Sequence, residues 1–332
     1  MIEKSTLQKA AREDIISTEQ IEPLYQFIRQ QAPDESAAYG KESLKFIRSF
    51  GDVFISLGIV LLVIAVNMSS LSGLSYLIPV AAFVALAEWL VRRRRLALPG
   101  IVILLSILFF MNKAVSFSAE HAALWGFAML SLNSLLFYLR YKMPFTLLPL
   151  AAGLVAMFVV MIGIDVLQSP VVFVGLGVIV FSIALWFDAQ DTKRKSHLSD
   201  NAFWLYLLAA PLIVHGVMVS ILFSDQLLLS FINKNVLMMT FFAIFFLLAL
   251  FIDRRVILIS TQLYVIYALT QLLQSQVNST QDIMVYVLIG LAFFVIYFGT
   301  YWYKTRRLLF GALSGSMISR YVPDFDTEDM KR

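Results

Sequence analysis

The chain has no cysteine. Disulfides, thiolate metal sites and cysteine nucleophiles are therefore excluded. Histidine is nearly as scarce. His121, His197 and His215 lie far apart in sequence, which argues against a histidine metal site. Charge is low as well. Only 14% of the 332 residues are charged, against about 25% in a soluble domain, so much of the surface faces something other than water. Residues 1–49 contain no long apolar stretch. No cleavable leader is expected, and the first apolar run must itself direct insertion. The signatures HExxH, GxSxG and the phosphate loop are also missing. The expectation is a protein that is not an enzyme, with no catalytic residues, cofactor or metal.

What the chain has is hydrophobicity: 60% of its residues are apolar. A helix needs about 20 apolar residues to cross a bilayer. Ten such runs lie near 51–69, 74–91, 98–116, 120–139, 143–164, 169–187, 202–223, 235–252, 256–274 and 283–303. They are continuously apolar rather than alternating, so they predict helices and not barrel strands. The expected class is an all-α polytopic membrane protein of about ten transmembrane helices. Three segments follow: a cytoplasmic helical hairpin and interfacial helix over 1–49, a membrane domain over 50–303, and a cytoplasmic tail over 304–332.

Orientation follows from lysine and arginine. With both termini in the cytoplasm, every basic residue except Lys113 and Lys234 falls on the cytoplasmic side. The bias accounts for the net charge of +4 without a nucleic-acid partner. The run Arg92 to Arg95 reads as a stop signal that also meets anionic membrane lipid. Ten spans divide into five and five, and an odd-numbered repeat would be inverted, as in alternating-access transporters. No sequence similarity links the two halves.

Residues 1–49 hold seven basic and eight acidic side chains. Ser17 to Gln20 fits a capping box, and Ile21, Leu24, Tyr25 and Ile28 follow at helical spacing. Leu44, Ile47 and Phe50 make an apolar stripe before the first span. This end is either a topogenic tail or a docking site for a cytoplasmic protein partner. Residues 7–31, LQKAAREDIISTEQIEPLYQFIRQQ, lead into FGDVFISLGIVLLVIAV. Together they resemble the N-terminal region of a family of prokaryotic membrane proteins of unknown function. The stretch 203–215, FWLYLLAAPLIVH, looks like segments of uncharacterised bacterial inner-membrane proteins. The resemblance implies a bacterial inner-membrane location and no activity.

Ionisable groups inside a bilayer are functional candidates by default. Asp52, Glu88, Asp188 and Asp253 map to span ends, where water or head groups are within reach. His215 alone lies well inside, in the outer half of the seventh run, one turn after Pro211. Proline removes one helix hydrogen bond and is expected to kink the span. In the ninth run Ser260, Tyr264, Tyr267, Gln271 and Gln274 form one polar stripe. The fourth run adds Ser131, Asn133, Ser134 and Tyr138. A polar cavity between spans four, seven and nine is therefore expected, with His215, Tyr264, Tyr267, Gln271 and Asn133 as its candidates. Two readings of His215 stay open: hydrogen-bonded packing, or a pocket-lining, proton-accepting group. Ala81 with Ala85, Ala152 with Ala156, and Gly175 with Gly177 are expected to let helices approach closely.

Two function classes remain. One is a transporter or permease for a small neutral or lipid-like solute. The other is a sensor, scaffold or assembly partner that docks through residues 1–49.

Overall fold

In lipid every backbone N–H and C=O needs an internal partner, so continuously apolar runs become helices. A computed structural model describes residues 7, 11, 13, 16–31, 49–115, 122–163, 169–192, 194, 196–223, 233–273, 280–313 and 322–323. Helix α1 is Ile21–Gln31. Next come α2 Phe50–Asn67, α3 Leu77–Ala87, α4 Ala97–Ala114, α5 Ala122–Tyr141 and α6 Leu147–Ile162. The chain continues through α7 Pro170–Gln190, α8 His197–Phe223, α9 Lys234–Ile252, α10 Val256–Ile259, α11 Gln262–Leu273 and α12 Thr280–Phe310. Among the described residues, nine helical segments are long and apolar enough to cross a membrane. The chain is an all-α, multi-pass integral membrane protein.

The exception is the ninth apolar run. It is split into α10 and α11 by a turn at Ser260 and Thr261. Thr261 is fully buried, and its hydroxyl donates to the Leu258 carbonyl at 2.8 Å. Its own N–H donates to the same carbonyl at 3.2 Å, the tighter i to i−3 pattern of a turn. By contrast α8 runs as one helix through Pro211. The last helix runs to Phe310, beyond the expected boundary at 304, with a bend at Tyr301.

Two cores hold the helices together. The first joins α2 to α5 through Ile59, Phe83, Ile103, Phe110 and Phe137. In it Tyr76, Phe110 and Phe83 stack with centroids 5.8 Å apart. The second gathers α6 to α12 around Tyr206, Val214, Leu250 and Trp302. The two cores meet where α5 packs against α6, and Tyr138 of α5 also lies against the second core.

The centre of the larger body is α8. At about 1.5 Å per residue its 27 residues exceed the bilayer core, and 56% of its most apolar window is buried, against 11% for α12. Glycine allows α7 to lie against it. A Cβ at Gly177 would sit 2.7 Å from Ile213 Cγ1, and one at Gly216 would sit 2.7 Å from the Pro170 carbonyl. Gly153 meets Ser131 in the same way where α6 crosses α5. Ala81, Ala85 and Gly175 do not serve this purpose, since all three are exposed.

Antiparallel order places the ends near Arg92, Arg140, Asp188, Asp253 and Arg306 on one face, called the basic face below. The two lysines outside it hold helix ends together. Lys113 Nζ donates to Asn67 Oδ1 at 2.6 Å, and Lys234 Nζ to the Leu222 carbonyl at 3.0 Å. At the N-terminus the Ser17 N–H donates to Gln20 Oε1 at 3.0 Å, as a capping box requires. Leu7 and Ile21 are buried. Leu44, Ile47 and the acidic tail from Asp324 lie outside the described residues, as does Gln274.

Candidate functional site

On the outer surface of the larger body, well away from the helix ends, α8 and α11 share a polar pair. His215 Nδ1 and the Tyr264 hydroxyl share a hydrogen bond of 2.5 Å. By helical rise His215 lies about 12 Å from the Phe223 end of α8, and Tyr264 about 14 Å from the Leu273 end of α11. The two therefore sit at matching depth. Val265 and Ala268 turn the other face of α11 into the core. The polar stripe consequently points outward, with Tyr267 and Gln271 exposed. His215 and Pro211 lie on an exposed face of α8. At the break beside them, Gln262 Oε1 is buried without a hydrogen-bond partner among the described residues. Buried polar atoms are normally partnered, so this carbonyl is an exception among the described residues.

Asn133 does not join this group. Its amide donates to Met129 O in its own helix at 2.8 Å. Ser131 and Ser134 bond their own helix likewise, at Phe127 O and Leu130 O. Short polar side chains in a helix satisfy themselves this way when no neighbour competes. Span four instead touches span seven near the basic face, where Asn201 Nδ2 donates to the Tyr138 hydroxyl at 2.9 Å.

The basic face holds a network that sequence reasoning missed. Arg254 Nε and Nη2 donate to the two carboxylate oxygens of Asp188 at 3.0 and 2.5 Å. Nη2 also donates to Ser199 O and Oγ, at 3.0 and 2.8 Å. Beside it Arg194 Nη1 donates to Asp253 Oδ2 at 2.9 Å and Nη2 to the Asp253 carbonyl at 2.6 Å. Trp302 Nε1 donates to the other carboxylate oxygen, Asp253 Oδ1, at 2.6 Å. Arg306 ties Leu250 O, Phe251 O and Pro323 O together. These groups join the ends of α7, α8, α9 and α12.

The network is sealed. Asp188, Arg194, Asp253, Arg254 and Arg306 are each no more than 4% exposed. Arg194 and Asp253 also share an unusual backbone. Their φ angles are +50° and +57°, a region that costs a side-chain-bearing residue about 1–2 kcal/mol. Asp253 takes it because it terminates α9, where the Arg254 N–H reaches back to the Ala249 carbonyl. The sequence reading placed Asp188 and Asp253 at water or head groups. Paired, hydrogen-bonded geometry allows them to be buried instead. The available signal was an acid and an arginine of opposite sign at the ends of neighbouring spans.

A second charge cluster lies on the same face in the smaller body. Glu88 accepts from Arg140 Nε at 2.7 Å, from Arg92 Nη1 at 3.0 Å and from the Tyr141 hydroxyl at 3.2 Å. It closes α3 in a π-helical turn, Glu88–Arg93. No group of three His, Asp or Glu among the described residues is arranged to hold a metal. Comparison with protein families, curated proteins and solved structures found no match to this chain.

Proposed function

We propose that the protein is a permease-like carrier of a small neutral or lipid-like solute. The observation that carries this reading is the broken ninth span, whose second half displays His215-bonded Tyr264, Tyr267 and Gln271 on its outward face. A lipid surface gains nothing from such a stripe, and breaks at membrane depth are tolerated where they are packed in protein or line a water-filled path. The break lies about one turn from the Val256 end of the span, and discontinuous spans are a recurring feature of carriers. The outward face favours a solute that enters partly from the lipid. Asp188 and Asp253 are bound to arginines, so neither is a ready sodium or proton site, which favours a neutral solute. The buried network closes the path at the basic face and leaves the His215 end as the entrance.

The basic face is the cytoplasmic one by the positive-inside rule. The host membrane is the bacterial inner membrane, as the sequence resemblance implies. A second reading has one observation in its favour. Phe27 on α1 is 55% exposed, an apolar anchor that a cytoplasmic protein partner of residues 1–49 would cover.

The native chain lacks cysteine, so single cysteines report without background. A water-soluble maleimide should label Tyr267→Cys and Gln271→Cys rapidly and Ile244→Cys slowly. Ile244 is 59% exposed but lies in the middle of α9, whose neighbours there are apolar. Equal, slow labelling at all three positions would remove the carrier reading.

A further inference from the structure

We propose that the end of α3 is a binding site for the phosphate headgroup of an anionic phospholipid. Ala85, Glu88, Trp89, Arg92 and Arg93 line a groove of about 640 Å³ there. The one acid in it does not repel an anion strongly. Arg92 and Arg140 already hold both oxygens of Glu88. Arg93 has neither an ion pair nor a hydrogen bond among the described residues, although it faces the same groove. A helix C-terminus disfavours an anion through its dipole, but the charges of Arg92, Arg93 and Arg140 exceed that partial charge and the charge of Glu88 together.

The local backbone builds the cluster. The π-helical turn Glu88–Arg93 widens the last turn of α3, and such turns concentrate at functional sites. Arg95 then closes the helix at φ +55°, with the Leu96 N–H reaching the Leu90 carbonyl at 3.1 Å. Arg94 is drawn out of the groove, its guanidinium 5.0 Å from the centroid of the Trp89 ring. Arg92 and Arg93 are left beside the opening. Trp89 is 49% exposed and marks the depth of the lipid headgroups.

The apolar half of a lipid has a place as well. Ala81, Ala82 and Ala85 are exposed and lead from the groove toward Ile78, which is 68% exposed. Their short side chains leave a shallow track on which an acyl chain can lie. Clustered arginines at the membrane surface attract anionic lipid. A tryptophan, a groove and a track beside them convert general attraction into one place.

Native mass spectrometry of the full chain in detergent tests this, with phosphatidylglycerol and phosphatidylcholine of identical acyl chains. The expected result is one phosphatidylglycerol retained at concentrations where phosphatidylcholine is lost. Arg93→Gln leaves the Glu88 bonds intact, so folding is not at issue, and it should weaken that binding about five-fold. Lys304→Gln should leave it unchanged. Lys304 is a second basic-face cation beside an aromatic ring, that of Tyr301 at 5.2 Å. Equal losses for the two variants would show general surface charge and overturn the site. Equal retention of both lipids would do the same. Displacement of the lipid by millimolar inorganic phosphate would mean that the groove takes free phosphate, against the proposal.

Discussion

At the basic face Glu88 and Asp188 each bind an arginine from another part of the chain, in nearly the same geometry. Yet the Glu88 side chain is 35% exposed and that of Asp188 is 5% exposed. The difference decides what each pair does. An exposed pair gains little, because solvent screens it and long side chains lose freedom. A buried pair cannot be left half-made, since removing one partner strands the other charge in an apolar setting. The four-helix body therefore rests on its aromatic and aliphatic core. The six-helix body has, in addition, four helix ends that must keep one arrangement.

The sharpest way to break this contrast is Arg254→Ala, which leaves Asp188 buried and unpaired. A loss of about 3–5 kcal/mol is expected, read as a fall in the thermal midpoint in detergent. The double variant Asp188→Leu/Arg254→Met should recover most of that loss, because the cost lies in the stranded charge. Gly216→Val comes next. Its Cβ would press on the Pro170 carbonyl and the Val174 amide, so α7 and α8 must separate, at about 1–3 kcal/mol. Trp302→Phe removes one donor from Asp253 while Arg194 remains. It should cost about 1.5–3 kcal/mol, the usual worth of a hydrogen bond to a charged group. His215→Phe and Tyr264→Phe should couple by about 0.6 kcal/mol in a double-mutant cycle, as is typical between membrane helices. At the far end is Glu88→Gln, which should leave the thermal midpoint unchanged within measurement error. A large shift there would erase the distinction between the two clusters.

Hydropathy alone was enough to place the spans, because a run of about 20 apolar residues has few alternatives to a membrane helix. It could not show the break at Ser260 and Thr261. That break is a tighter turn in which the Thr261 N–H reaches the Leu258 carbonyl, and a threonine in an apolar run carries no mark of it. His215 and Tyr264 were legible through scarcity and helical depth. Asn133 looked the same in sequence, but it bonds its own helix. The ionic network was hidden for another reason. Asp188 and Arg254 are 66 positions apart, and each alone resembles an ordinary charge at a span end. Only the packing of α7 and α9 each against α8 brings them together. Gly216 went unnoticed because a small residue signals a close approach only once its neighbour is known.

The most direct measurement is the sidedness of labelling at Tyr267→Cys in sealed vesicles of both orientations, using a membrane-impermeant thiol reagent. With the ionic network intact, the reagent should reach residue 267 from the face opposite the arginines and be blocked from the basic face. Labelling from the basic face, or none from either side beyond that of Ile244→Cys, would contradict a solute path that enters beside His215 and is closed by Asp188 and Arg254.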